Sequence, residues 1–335
     1  MSMSRVSRVA LISFAIAGLA GCGGSTPPPA PDAAPSTIPV SPVGVFALSS
    51  TFDLHVPAAA APALETLLAA TDSPDDPSRY LVDRMIATLP DGSVKKIASA
   101  AAPYVAAYLN ARLSELAPRF VVGIDGLATG LARIATHFGT VETLRVDDGG
   151  TGVRQISAVR FDVNGTTKVV PLAAGGITDF AAGVRVTLDA AGRLGISEHE
   201  HALPYGAILR LGLDRAVAPS VEPTAGDLAG ALGALLDCER LGTVIADRVG
   251  LGSPALYGAA CRATMTAIAS EVDSRLAEID QTPLGIEVAG IAAGFDDDGN
   301  GTMDEIRAGI WTGAVYAGPD REPIDAASFT GAASR

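Results

Sequence analysis

Near the C-terminal end, Asp296-Asp297-Asp298-Gly299-Asn300-Gly301-Thr302-Met303-Asp304, followed by Glu305, concentrates oxygen ligands in one short run. A hard cation such as Ca2+ takes about six to eight oxygens. A loop wraps one when oxygen side chains stand at its first, third, fifth and ninth positions, a backbone carbonyl serves at the seventh, and glycine allows the turn at the sixth. Those positions fall on Asp296, Asp298, Asn300, Asp304, Thr302 and Gly301. The spacing therefore points to Ca2+ as cofactor, with Glu305 or Asp297 adding a further oxygen. The ion is expected to order a hairpin, since Leu284 to Ala292 before the loop and Ile306 to Tyr316 after it alternate as strands do. The competing reading of the same residues is a solvated Asp/Gly turn without an ion.

The stretch resembles the loop of EF-hands and the related loops of dockerin-like secreted proteins. It departs from the EF-hand at the twelfth position, where Arg307 replaces the bidentate glutamate. What the resemblance implies is a calcium-type loop at a hairpin tip, without EF-hand helices.

Other constellations select no reaction. Glu198-His199-Glu200-His201 puts His199 and His201 on one strand face, as two zinc ligands could stand. No spacing brings His55 or His137 to them, so the segment is read as a polar strand end before Pro204-Tyr205-Gly206. The chain has no Gly-x-Ser-x-Gly elbow, no phosphate-binding glycine loop with lysine and serine, and no His-Glu-x-x-His helix. The expectation is a protein that is not an enzyme.

The N-terminus carries Arg5 and Arg8, a mostly apolar run from Val9 to Leu19, and then Leu19-Ala20-Gly21-Cys22. This order is that of a secretory signal, and the run is too short to span a bilayer as a helix. The last four residues resemble the lipobox of bacterial lipoproteins. The resemblance implies lipidation of Cys22 and cleavage before it, with 1–21 removed as signal peptide. Several acyl chains on one residue give stable anchoring. Gly23 stands where an aspartate marks inner-membrane retention in such families, which implies the outer membrane, at its periplasmic face or the cell surface. Residues 22–42 then form a lipidated cysteine and a proline-rich tether, extended where its prolines fix the backbone.

With Cys22 lipidated, Cys238 and Cys261 remain as an even pair in an exported chain, which favours a disulfide. Both lie on helical stripes, Leu228, Leu232, Leu235 and Cys238 in one, Cys261, Met265, Ile268, Val272, Leu276 and Ile279 in the other.

These residues need elements to hold them. Phe46, Leu48, Phe52, Leu54 and Val56 alternate with Thr51, Asp53 and His55 in a long half-buried strand. Residues 62–137 read as helices broken at prolines, and 141–203 as a β-rich block in which Asn164-Gly165 marks a hairpin. Residues 206–217 fit helix or strand, 225–280 are helical, and 284–331 return to strands. The order admits an internal duplication, because setting Asp147-Asp148-Gly149 against Asp297-Asp298-Gly299 also aligns Ile156 with Ile306, Ala158 with Ala308 and Phe161 with Trp311.

The expected fold class is α+β: curved antiparallel sheet segments packed with long apolar helices, ending in a C-terminal strand meander, as one large body over 43–335. At the coarsest level this alternation looks like the lipid-binding TULIP families, in which a sheet wraps a long helix around an acyl-chain groove.

Composition bounds the partners. Among 335 residues, 48% are hydrophobic, and the formal charge of -13 lacks the basic surface that nucleic acid requires. Removing 1–21 takes away Arg5 and Arg8, leaving 22 basic against 37 acidic residues, a formal -15. The sequence thus reads as an outer-membrane lipoprotein binding a lipid or other apolar ligand, with a structural calcium hairpin. The alternative is a surface-displayed, calcium-dependent interaction or adhesion module.

Overall fold

The structure, a computed structural model, describes residues 41–55, 62–63, 65–66, 77–281, 284–317 and 320–334. Cys22, the signal segment, the tether up to residue 40 and Val56 lie outside these residues.

The first strand, β1 (Gly44–Asp53), buries every second residue, Phe46, Leu48, Ser50 and Phe52. Strand side chains alternate between faces, so one face of β1 belongs to a core. Among the described residues that follow are helices α1 (Pro77–Ala87), α2 (Ser93–Leu116) and α3 (Pro118–Thr136). Helix α3 runs directly into β2 (His137–Val146), then come β3 (Thr151–Val163), β4 (Thr166–Pro171), β5 (Phe180–Leu188) and β6 (Arg193–Leu203). The β3–β4 hairpin turns at Asn164 and Gly165, both with positive φ (51° and 73°), as a two-residue hairpin of that sequence requires.

A second helical set begins with α4 (Tyr205–Gly212), which continues through a π-helical turn, Leu213–Val217, and a last turn, Ala218–Val221. It proceeds through α5 (Leu228–Leu235), α6 (Cys238–Val249) and α7 (Pro254–Ile279). Asp227, Asp237 and Ser253 cap the starts of α5, α6 and α7 with side-chain oxygens. The chain ends in β7 (Leu284–Phe295), β8 (Glu305–Ala317), β9 (Asp320–Pro323) and β10 (Ala326–Ala333).

The sheet runs β10-β1-β2-β3-β5-β6-β7-β8, and β10 also pairs with β8, so the order closes on itself. All of these pairings are antiparallel. The result is an eight-stranded antiparallel barrel, with β4 attached outside the circuit to β3 and β9 to β8. This corrects the expected α+β arrangement of curved sheet segments packed with long apolar helices, and with it the analogy to a helix wrapped by a sheet. Strand side chains fill the interior, among them Phe46, Leu48, Leu144, Ile196 and Phe329. Alternation reports which face of a strand is buried and says nothing of which edges meet. Closure depends on the nonlocal register that runs from Phe46↔Ala333 to Asp53↔Ala326 between β1 and β10, which carries no local signal.

The helices pack largely on one another, α6 and α5 on α7, α1 on α2, and meet the barrel mainly through α3 and the π-helical turn. Glycines let them approach. A Cβ on Gly130 would lie 2.4 Å from a Val217 methyl, and one on Gly212 would lie 2.8 Å from Ile134 and Phe161.

Antiparallel connectivity sorts the barrel ends. Both helical excursions leave and return at one end, where Asp53 pairs with His137 and Leu203 with Leu284. The opposite end gathers the Asp147–Gly150 turn, the Asp189–Gly192 turn, the acidic loop, and the start and finish of the described chain near Ser41 and Ser334.

Candidate functional site

The acidic loop joins β7 to β8 at that opposite end. Its flanks are barrel strands, so the residues that resemble an EF-hand loop are not set between helices. Asp296 is buried, Asp304 half-buried and Asp298 exposed, and one carboxylate oxygen from each lies within 4.8 Å of the others.

Backbone donors fix this geometry. Asp296 Oδ1 accepts hydrogen bonds from the amides of Gly299 (2.7 Å) and Asn300 (3.2 Å), and its Oδ2 accepts one from Gly301 (2.8 Å). Asp304 Oδ2 accepts from the amide of Asp297 at 2.9 Å. Asp298 Oδ1 accepts from the Asn300 amide at 3.1 Å, and Asn300 Oδ1 accepts from the Thr302 amide at 2.7 Å. Gly299 and Gly301 hold φ of 75° and 87°, in the left-handed region that a Cβ disfavours.

The spacing thus brings Asp296, Asp298 and Asp304 together and sets Asn300 and Thr302 on the same turn. Glu305 is turned elsewhere. Its carboxylate pairs with Arg307, and that hydrogen bond, with the nearby positive charge, holds it below the usual carboxylate range. Arg307 lies 4.4 Å above the Phe295 ring and 3.6 Å from Asp297. Three hard oxygen donors without sulfur or imidazole fit a calcium-type cation better than a thiophilic metal.

The loop also holds the incoming chain. Ser41 pairs with Thr302 in an isolated parallel bridge, its amide donating to the Gly301 carbonyl and its carbonyl accepting from Met303, both at 3.1 Å. The Asp304 carbonyl accepts from Ala333 at 2.7 Å, so the end of β10 is tied to the same turn.

A second polar cluster lies inside the barrel. Glu142 on β2 and Arg154 on β3 are fully buried and bidentate, Nε to Oε2 at 2.5 Å and Nη2 to Oε1 at 2.7 Å. Arg154 Nη1 donates to His199 Nε2 at 2.9 Å, and His199 Nδ1 donates to the Ser197 carbonyl at 2.8 Å, which assigns the His199 proton to Nδ1. The Thr140 hydroxyl donates to Glu142. Trp311 stacks on Phe329 with ring centres 4.2 Å apart, lies under the Arg154 guanidinium at 4.3 Å, and donates its indole N–H to Ser50 Oγ at 3.0 Å.

Burial opposes ionisation of Glu142. The Arg154 charge and the hydrogen bonds from Arg154, Thr140 and Ser50 outweigh it and hold the carboxyl below its usual value. Burial pushes His199 down, aided by Arg154 against the Ser197 hydrogen bond. Burial, then Arg154 and His199, pushes His201 down to about 4. His201 Nε2 is buried and has no hydrogen-bond partner. The histidines therefore line the barrel's interior rather than a polar strand end. Glu142 and Arg154 were missed, yet both fall on the apolar phase of their strands, Phe138-x-Thr140-x-Glu142-x-Leu144 and Arg154-x-Ile156.

Cys238, at the first turn of α6, lies at disulfide distance from Cys261 in α7, with Cα atoms 5.5 Å apart. No known protein family matches the chain, and no match is found among curated proteins or among solved structures.

Proposed function

We propose that the chain is a lipid-anchored envelope protein without enzymatic activity, in which Ca2+ bound by Asp296, Asp298 and Asp304 orders the open end of the barrel. The observation that carries the reading is the convergence of the three carboxylates within 4.8 Å. The lipobox-like run ending at Cys22 supports the anchor, and Gly23 supports the outer membrane. Arg145, Arg185 and Glu200 stand exposed on the outward face of the strands, which suits a barrel surrounded by water and held to the membrane by its acyl chains.

The lipid or apolar ligand stands on architecture alone. An eight-stranded barrel either fills with its own side chains or holds one small ligand. Here Arg154, Trp311 and Phe329 occupy the middle, so the acidic loop is the better supported ligand site. The exposed faces of Asp297, Asp298 and Asn300 would also serve a surface-displayed, calcium-dependent interaction module. Isothermal calorimetry with millimolar CaCl2 on the chain lacking 1–21, with Cys22→Ser, tests the cation reading. Heat that disappears in Asp298→Asn and a melting temperature lowered by chelator support it, and no heat with no chelator effect ends it.

A further inference from the structure

The barrel wall has a seam. Strands β5 and β6 pair only over Val186↔Ile196, Thr187↔Gly195 and Leu188↔Leu194, and the register of β6 shifts between Ile196 and His199. Beyond the shift, His199, His201 and Leu203 are paired with Val288, Ile286 and Leu284 of β7, while β5 diverges to pair with β3. On the outer face the Arg185 amide of β5 still donates to Ser197 Oγ of β6 at 2.9 Å, and what spans the seam from within is the bond from Arg154 Nη1 on β3 to His199 Nε2 on β6.

We propose that this contact, with His201 behind it, is an acid-operated latch on the β5–β6 seam. A proton from solvent taken up at His199 Nε2 removes the acceptor that Arg154 uses. One taken up at His201 adds a cation beside Arg154, whose charge Glu142 already balances. Either event sets like charges inside a low-dielectric wall, where they repel strongly. The charged and titratable groups that face His201 are His199 of its own strand, Arg154 of β3 and Glu142 of β2. Thr140, Ser50 and Trp311 complete the cluster from β2, β1 and β8 without a titrating charge near neutrality, and β7 contributes Ile286 and Val288.

The sign follows from the unpartnered, buried His201 Nε2. The open state exposes the imidazole to water and binds the proton more tightly than the closed state. Closure is therefore fully favoured above the ordinary histidine range and weakens as pH falls toward about 4, the value to which burial depresses His201. From pH 7 to 5, opening should increase on the order of twentyfold through His201 alone.

Amide hydrogen exchange, corrected for intrinsic rates, tests this on the chain lacking 1–21. The expected result is a pH-dependent rise in opening confined to 180–188 and 196–203, markedly reduced by His201→Phe and retained in full by His55→Gln. No local rise in the parent chain, or an undiminished rise in His201→Phe, overturns the latch. If His201→Phe does not fold at pH 7.5, imidazole NMR of the parent chain decides. Signals of His199 and His201 that stay neutral until the seam opens support the proposal, and ordinary titration near pH 6.5 with the seam closed overturns it.

Discussion

The costliest residues in the barrel are the ones that carry charge. Glu142 and Arg154 are both desolvated, and their stability rests on mutual pairing plus the donors Thr140 and Ser50. Removing one partner leaves an uncompensated buried charge, so Arg154→Leu should lower the unfolding free energy by about 3–5 kcal/mol in urea titration at pH 7.5. The double substitution Glu142→Leu/Arg154→Met should recover most of that loss, because burying an ion pair gains little over apolar packing of similar volume. If the double variant is as weak as the single one, the network's hydrogen bonds matter more than its charge balance. These residues were legible in part. Period two puts both on the buried phase of strands that otherwise present Phe138, Leu144 and Ile156. That they face one another depends on the register Leu144↔Arg154, offset by the irregularity between Val141 and Glu142, which composition does not encode.

At the scale of elements, the acidic loop joins three segments far apart in sequence: Ser41, the β7–β8 turn and the end of β10. Asp296 accepts three amide hydrogen bonds in it and is buried, so Asp296→Ala leaves those donors unsatisfied at about 1–3 kcal/mol. Its expected consequences are faster exchange of the amides of Ser41, Gly299, Gly301 and Met303 and a lower melting temperature, with or without Ca2+. Unchanged protection at Ser41 would show that the chain start is held independently of the turn. The helical layer offers a separate check. The Cys238–Cys261 pair closes about 24 residues between α6 and α7, so reduction should cost roughly 3 kcal/mol in the chain-entropy model. An unchanged melting curve after reduction, with both thiols confirmed free, would show that helix packing alone holds α6 on α7. Loop position could be read from spacing, and the cysteine pairing from the even pair that remains beside Cys22, because neither depends on strand register. The coupling of the loop to Ser41 and Ala333 could not, since it is made by backbone groups common to any sequence.

At the scale of the whole described chain, one order of elements occurs twice: strand, helices, hairpin, an outside strand, and a strand that rejoins the circuit. The first half is β1, α1–α3, β2, β3, β4 and β5, the second β6, α4–α7, β7, β8, β9 and β10. In the circuit each strand of one half stands four places from its counterpart, and β4 hangs on β3 as β9 hangs on β8. Ile156 and Ile306, like Phe161 and Trp311, are buried on β3 and β8, but not at matching places: β3 starts at Thr151 and β8 at Glu305, which sets Ile156 against Ile310 and Phe161 against Val315. The repeated order of elements is compatible with the internal duplication that the sequence admits, and an acidic turn follows β2 in one half and β7 in the other. Strand alternation alone could not supply the rest, because the circuit closes only when β5 meets β6 and β10 meets β1. Those two seams, the Trp311–Ser50 bond, the Arg154–His199 bond and the contact of Tyr205 with the Ala135 carbonyl all cross between halves, while the disulfide lies within the second. A protease site inserted between Ala190 and Ala191, in the exposed β5–β6 turn, should therefore be cleaved without dissociation. The two fragments should co-elute at pH 7.5 on size exclusion and melt in one transition, and should separate only in denaturant. Fragments that part under native conditions would mean that chain continuity, rather than strand pairing and the interior network, keeps the barrel closed.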